Sequence, residues 1–206
     1  MSSLRGTTRQ YWVAIRAMIV LTVVLGIAYP VVLWGVGFLA PAQANGQPVS
    51  VNGTTVGSTL IGQSFTDKKG NALPQWFQSR PSAAGANGYD AGASVGSNQG
   101  TESETLIKAI KARQKAIEKS DGVTVGQIPA DAVTASGSGL DPDISPEYAR
   151  IQVARVAATR GLKESDVSAL VESMVQNGSA GYMGPQIVNV LQLNLALSKL
   201  DPSGDK

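Results

Sequence analysis

Four carboxylates crowd one short stretch of this 206-residue chain: Asp131, Asp141, Asp143 and Glu147. Carboxylates so close together could take a hard cation such as calcium. Their spacing matches no EF-hand loop, however, and each acid sits where a turn or a helix start favours one. Ser136 and Ser138 lie among them, and Ser97 lies upstream. As nucleophiles they would need an adjacent base, but the chain has no histidine to supply the commonest one, and no cysteine. A lysine-based alternative lacks a clear partner. Gly137 and Gly139, and further on Gly181 and Gly184, have phosphate-loop spacing, but no Gly-Lys-Ser/Thr follows either pair. Loop geometry accounts better for these glycines. Arg80, fixed before Pro81, could clasp a carboxylate, either within the fold or across an interface.

These residues are held by elements with clear sequence signals. Val133 and Thr134 have strand-forming side chains. Ser136-Gly137-Ser138-Gly139 asks for a sharp turn, with both glycines in conformations closed to a Cβ. Asp141-Pro142 fixes a second turn, the aspartate bonding to the backbone two residues on. Ser145-Pro146-Glu147 then starts a helix with N-cap, N1 proline and first-turn acid. Ala149, Val153, Val156 and Ala157 share its apolar face, and Gly161 ends it. Gln152 and Arg155 lie off that stripe, solvated or facing a partner.

Upstream, Pro48–Val51 and Thr54–Val56 flank Asn52-Gly53 and read as a hairpin. A glycine-rich loop runs from Gly85 to Gly100. It is long for a compact domain, and long loops are usually functional or disordered. Thr101-Glu102-Ser103-Glu104 has capping-box form before a helix to about Lys119. Downstream, a helix spans about Glu164–Gln176, and Ile187–Val190 reads as a strand running into a helix. Asn189 and Asn194 are amides in an apolar run and need partners from neighbouring loops. Asp201 to Lys206 reads as a frayed tail.

Near the N-terminus, no charge occurs from Ala17 to Ala40. As a helix this run is roughly 36 Å long, enough to cross a bilayer core of about 30 Å. Arg5, Arg9 and Arg16 precede it, and no charge follows until Asp67. The positive-inside rule puts residues 1–16 in the cytoplasm, a transmembrane helix at 17–40 and residues 41–206 outside. A cleaved signal peptide is the rival reading, since Ala42-Gln43-Ala44 resembles a cleavage site, but the apolar run exceeds a signal core. Gly26, Tyr29, Pro30, Leu33 and Gly37 recur at offsets of three and four, which suits close approach of another helix. Of 17 basic and 15 acidic residues, setting aside the three arginines leaves 14 against 15. A domain so nearly neutral gives no argument for nucleic acid. The fold class expected is α/β: one N-terminal transmembrane helix plus one extracytoplasmic α/β domain.

The stretch from Pro129 to Ser145 resembles the signature segment of the C-subunit family of Kdp-type potassium-transporting P-type ATPases. Further matches run along the chain. They are Gly26 to Pro30, Gln43 to Gly46, Gly57-Ser58, Leu60-Ile61-Gly62-Gln63, Arg80-Pro81-Ser82-Ala83, Gly96-Ser97-Asn98, Gln152-Val153, Arg155-Val156-Ala157, Arg160-Gly161-Leu162, Val188-Asn189-Val190-Leu191 and Leu193 to Leu197. Val95, Gln99 and Thr101 depart from the family pattern of glycine or serine, leucine and proline, which puts the usual conformation of that loop in doubt. The resemblance implies a non-catalytic subunit that accompanies a channel-like potassium-translocating subunit, a P-type ATPase subunit and a small membrane peptide. It implies roles in assembly, in raising the ATP affinity of the ATPase subunit, or in governing admission of the ion. No cofactor is expected on this chain, ATP and potassium being handled by the complex. The alternative is a stand-alone anchored extracytoplasmic enzyme or wall-binding module.

Overall fold

The computed structural model describes residues 3–178 and 183–205. Two compact units divide the chain, residues 1–47 and 48–206.

The first unit is the apolar helix. Helix α1 (Ser3–Val23) passes through one π-helical turn, Val24–Ala28, into α2 (Tyr29–Gly37). Thr7–Gly37 is long and apolar enough to cross a membrane. Helical structure therefore starts well before Ala17. The π-turn has a local cause. Pro30 has no N–H, and its ring crowds the carbonyl four residues back, that of Gly26. The helix widens just upstream, so that the Tyr29 amide donates to the Val24 carbonyl, five residues back. Gly26 lies within this wider turn, and Tyr29, Pro30, Leu33 and Gly37 follow it in α2. Pro30, Leu33 and Gly37 keep α-helical spacing within α2, whereas Gly26 does not follow that register. The short α3 (Pro41–Ala44) contains the cleavage-like Ala42-Gln43-Ala44.

The second unit mixes helices with two small sheets. Strands β1 (Pro48–Val51) and β2 (Thr54–Ser58) form the antiparallel hairpin. Asn52 and Gly53 both take positive φ, 50° and 79°, as a type I′ turn requires. Helix α4 (Glu104–Asp121) follows the long loop. Its N-cap is Ser103, with no side-chain cap bond, so the capping box expected from Thr101 does not form. Val133 and Thr134 do not form a strand. Ala130–Val133 is a single helical turn, α5, which Thr134 closes by donating from Oγ1 to the Ala130 carbonyl at 2.7 Å. Local hydroxyl bonding overrides β-propensity here.

Strand β3 (Asp143–Ile144) pairs antiparallel with β4 (Val188–Asn189). Between them run α6 (Pro146–Arg160) and α7 (Glu164–Ser173), and β4 leads into α8 (Val190–Leu200). Helix α6 begins as its sequence directs: the Ser145 hydroxyl accepts from the Tyr148 amide, and Gly161 ends the helix at φ 67°. Ala149, Val153, Val156 and Ala157 are buried with Val167 and Val171 of α7 and Leu193 and Leu197 of α8. Phe77, fully buried, adds the largest side chain to this core. Of the tail expected to fray, residues 201–205 are ordered, and Lys206 lies outside the described residues. Pro202–Asp205 forms a 3₁₀ turn, held by Arg160. That side chain stacks on Trp76 at 4.4 Å and donates to the Asp201 carbonyl and the Asp205 carboxylate.

Candidate functional site

The signature segment is the floor of a polar network. The long loop, residues 82–84 and Gly62, just after β2, close over it. Gly139 sits at φ 70°, and a Cβ added there would come within 2.7 Å of the Val95 carbonyl and 2.8 Å of the Ala84 Cβ. The contact is that close because the loop lies directly on the segment. The Ser82 hydroxyl donates to the Gly139 carbonyl at 2.6 Å, the Val95 amide to the Ser138 carbonyl at 3.0 Å and the Gly62 amide to the Leu140 carbonyl at 2.8 Å. Gly137 differs from Gly139. It has no positive φ, and a Cβ on it would meet nothing within 4 Å. The steric demand expected there falls on Gly96 instead, whose Cβ would approach the Gly137 carbonyl at 2.7 Å.

Asp141 does two jobs. Its Oδ1 accepts from the Asp143 amide at 3.1 Å, the expected turn bond, and its Oδ2 accepts from Arg80 Nη1 at 2.7 Å. Arg80 thus finds its carboxylate within the fold, through one nitrogen. Its buried Nε has no hydrogen-bond partner among the described residues. The Arg80 carbonyl accepts from the Tyr89 hydroxyl at 2.7 Å. Burial pushes that phenol up to about 12, so it stays a neutral donor. Tyr89 itself holds φ 57°, with its amide donating to the Ser82 hydroxyl.

The other acids are occupied in the same structural way. Asp131 accepts from the amide and the hydroxyl of Ser145, tying α5 to the start of α6. Asp143 accepts from Asn189 Nδ2 at 3.1 Å; burial raises its pKa and that bond opposes the rise. Among the described residues, no group of three or more His, Cys, Asp or Glu side chains comes together as a metal site. The Ser136 hydroxyl accepts from the Gly139 amide and that of Ser138 from the Leu140 amide, so both serines brace the turn. Ser97 and Asn98 lie in the overlying loop, Asn98 at φ 49°. Pro142 offers its carbonyl to the Val190 amide, at the start of α8. Of the second glycine pair, Gly184 sits at φ 90°, while Gly181 lies outside the described residues.

A second network centres on Gln152 and Arg155 and corrects the expectation for α6. Gln152 is fully buried, accepting from the Gln78 amide at 2.7 Å and donating to the Gln78 and Tyr148 carbonyls. Arg155 is nearly as enclosed. Its Nε donates to Asp121 at 2.6 Å, its Nη1 to the carbonyls of Pro74 and Trp76, and its Nη2 to Gln152. Neither side chain is solvated. Both hold the irregular segment 74–78, whose backbone groups have no sheet to pair with. Asn194 does the same from α8, bonding both the amide and the carbonyl of Phe77. Asn189 donates to Thr59 and caps α8 by accepting from the Gln192 amide.

Sequence reasoning missed the participation of Gly62, Ser82 and Tyr89. Gly62 and Ser82 sat inside matched motifs, but nothing local pairs them with Leu140 and Gly139, 78 and 57 positions away.

Residues 11–199 match the profile of the KdpC family, described as the K+-transporting ATPase c chain. The chain belongs to the KdpC family. Among its relatives, a potassium-transporting ATPase KdpC subunit from Kineococcus radiotolerans is 49% identical over 200 residues, spanning 97% of this chain and 98% of that one. Another from Caulobacter vibrioides is 51% identical over 192 residues, 92% of each chain. One from Streptomyces avermitilis is 41% identical, with 97% of each chain covered. The KdpC match takes in the apolar helix as well as both networks. At Val95 the loop bonds the signature segment through its backbone amide.

Proposed function

We infer that this chain is a non-catalytic subunit of an ATP-driven potassium-transporting complex. It acts in assembly and stability of the complex, through its apolar helix and the surface of its domain. The observation that carries this reading is the KdpC match over nearly the full length, with relatives of the same length named as subunits of that ATPase. The networks around Asp141 and Arg155 support it, because their charged groups are engaged in holding loops. The partners proposed are a channel-like potassium-translocating subunit, the P-type ATPase subunit and a small membrane peptide. The test is company in mild detergent. The tagged chain, solubilised from native membranes, should bring down the first two in constant ratio; a chain that emerges alone contradicts the reading.

The orientation proposed is N-terminus in the cytoplasm and domain outside, in the cell membrane, from the asymmetry of Arg5, Arg9 and Arg16. About 16 residues then share a compartment with ATP. An influence on ATP affinity would be transmitted through membrane helices and not by contact of the domain with nucleotide. Protease added to intact cells, with any outer membrane opened, should digest the domain and spare the N-terminal segment. A protected domain would overturn both the orientation and that inference.

A further inference from the structure

Helix α4 and the first turn of α6 wall a cleft of about 320 Å³, separate from the turn around Gly139 and Asp141. Its walls are largely apolar, including Pro74, Ile117 and Ala132. Two polar side chains in it lack full partners. Arg113 donates one bond, from Nη1 to the Val133 carbonyl at 2.8 Å. No carboxylate among the described residues pairs with it. Its burial lowers its pKa, yet a guanidinium stays charged at any physiological pH. Tyr148 is 5% exposed, and its hydroxyl has no hydrogen-bond partner among the described residues. Burial raises its pKa, so it is a neutral donor. The cleft also contains Asp121 and Arg155, but these neutralise each other at 2.6 Å. One positive charge is left without a counter-charge in a partly dry, apolar setting. Arg113 is half-buried, so an anion entering the cleft would replace water as its partner.

We propose that this cleft binds a single carboxylate borne on a short apolar stem, with Arg113 and Tyr148 as its donors. A carboxylate presents two oxygens in the plane that a guanidinium fork matches. One negative charge balances Arg113, whereas a dianion would be left half compensated beside Asp121. The apolar walls favour an organic acid over a small hydrated ion. The carboxylate can come from a free organic acid or from an acidic side chain of a partner subunit; the second source rests on the subunit reading above.

The probe is benzoate, with benzamide as the neutral control, titrated calorimetrically into the full-length chain in detergent. Benzoate should bind saturably and benzamide should not. Arg113→Gln should abolish binding. Tyr148→Phe, which leaves the ring in the core, should weaken it by about 3- to 10-fold, as the loss of one hydrogen bond implies. Absence of benzoate binding, or binding unchanged in Arg113→Gln, overturns the proposal whatever the complex does. The purified complex then separates the two sources. Benzoate uptake by the complex identifies a free acid. A complex that takes up none, and that sheds its Arg113→Gln subunit during purification, identifies a partner's carboxylate. A complex that takes up none yet retains the Arg113→Gln subunit would confine binding to the isolated chain and overturn the proposal.

Discussion

Gly139→Val is expected to destabilise the domain by roughly 2–6 kcal/mol and to prevent incorporation into the complex. Two costs add. A β-branched residue at φ 70° carries about 1–3 kcal/mol of backbone strain. Its Cβ would also lie 2.7 Å from the Val95 carbonyl and 2.9 Å from the Ala84 amide nitrogen. Pushing the loop off the segment costs about another 1–3 kcal/mol. Gly137→Ala, two residues away, has open space and ordinary φ, and should stay within about 1 kcal/mol of the parent. Asp141→Asn should be intermediate. The amide oxygen keeps the bond from the Asp143 amide, and the loss is the ion pair to Arg80, whose side chains are 22% and 29% exposed. Partly exposed pairs contribute about 1 kcal/mol. Urea unfolding followed by tryptophan fluorescence resolves the order, since Trp76 is the one tryptophan in the domain. A Gly139→Val chain as stable as the parent would show that the loop does not need to lie so close. An assembled but inactive Asp141→Asn complex would show that the carboxylate acts as more than a brace.

Arg155→Met should cost about 3–5 kcal/mol, because it leaves the Asp121 carboxylate buried without a counter-charge, with the Ser120 hydroxyl still donating to it. The two side chains are 9% and 4% exposed, so water entering from the cleft replaces the missing cation only in part. The carbonyls of Pro74 and Trp76 and the Gln152 oxygen lose a donor in the same step. Adding Asp121→Leu should recover a substantial part of the loss, since a buried pair is often replaceable by apolar side chains of similar volume. The four proteins of this double-mutant cycle give the coupling directly. A single Arg155→Met within about 1 kcal/mol of the parent would mean that segment 74–78 is held by something other than this network.

How much of this was legible in the sequence depended on the range of the interaction. Elements specified by neighbours in sequence were readable: the Asn52-Gly53 hairpin, the Ser145-Pro146 start and Gly161 stop of α6, and the passage from β4 into α8. Asp141 bonding two residues on was readable for the same reason. Failures came where partners are distant. Gln152 and Arg155 fall off the apolar stripe, which normally signals solvent. Here they point into an irregular segment about 80 residues upstream that needs donors and acceptors. Gly137 and Gly139 look equivalent in sequence, and only the loop lying on Gly139 separates them. The strand expected at Val133 and Thr134 gave way to a hydroxyl-closed turn. The π-turn follows from Pro30, but its effect on the register of Gly26 needs the backbone.

As a non-catalytic subunit of a potassium-transporting ATPase, this chain should be required for transport by the complex. Uptake of radioactive rubidium, standing in for potassium, measures this most directly. It should be followed at limiting external potassium in cells deleted for this chain alone and in the same cells carrying it on a plasmid. The account predicts loss of high-affinity uptake on deletion and recovery with the plasmid copy, while the ATPase subunit is still made. High-affinity uptake that persists undiminished in the deletion would contradict it.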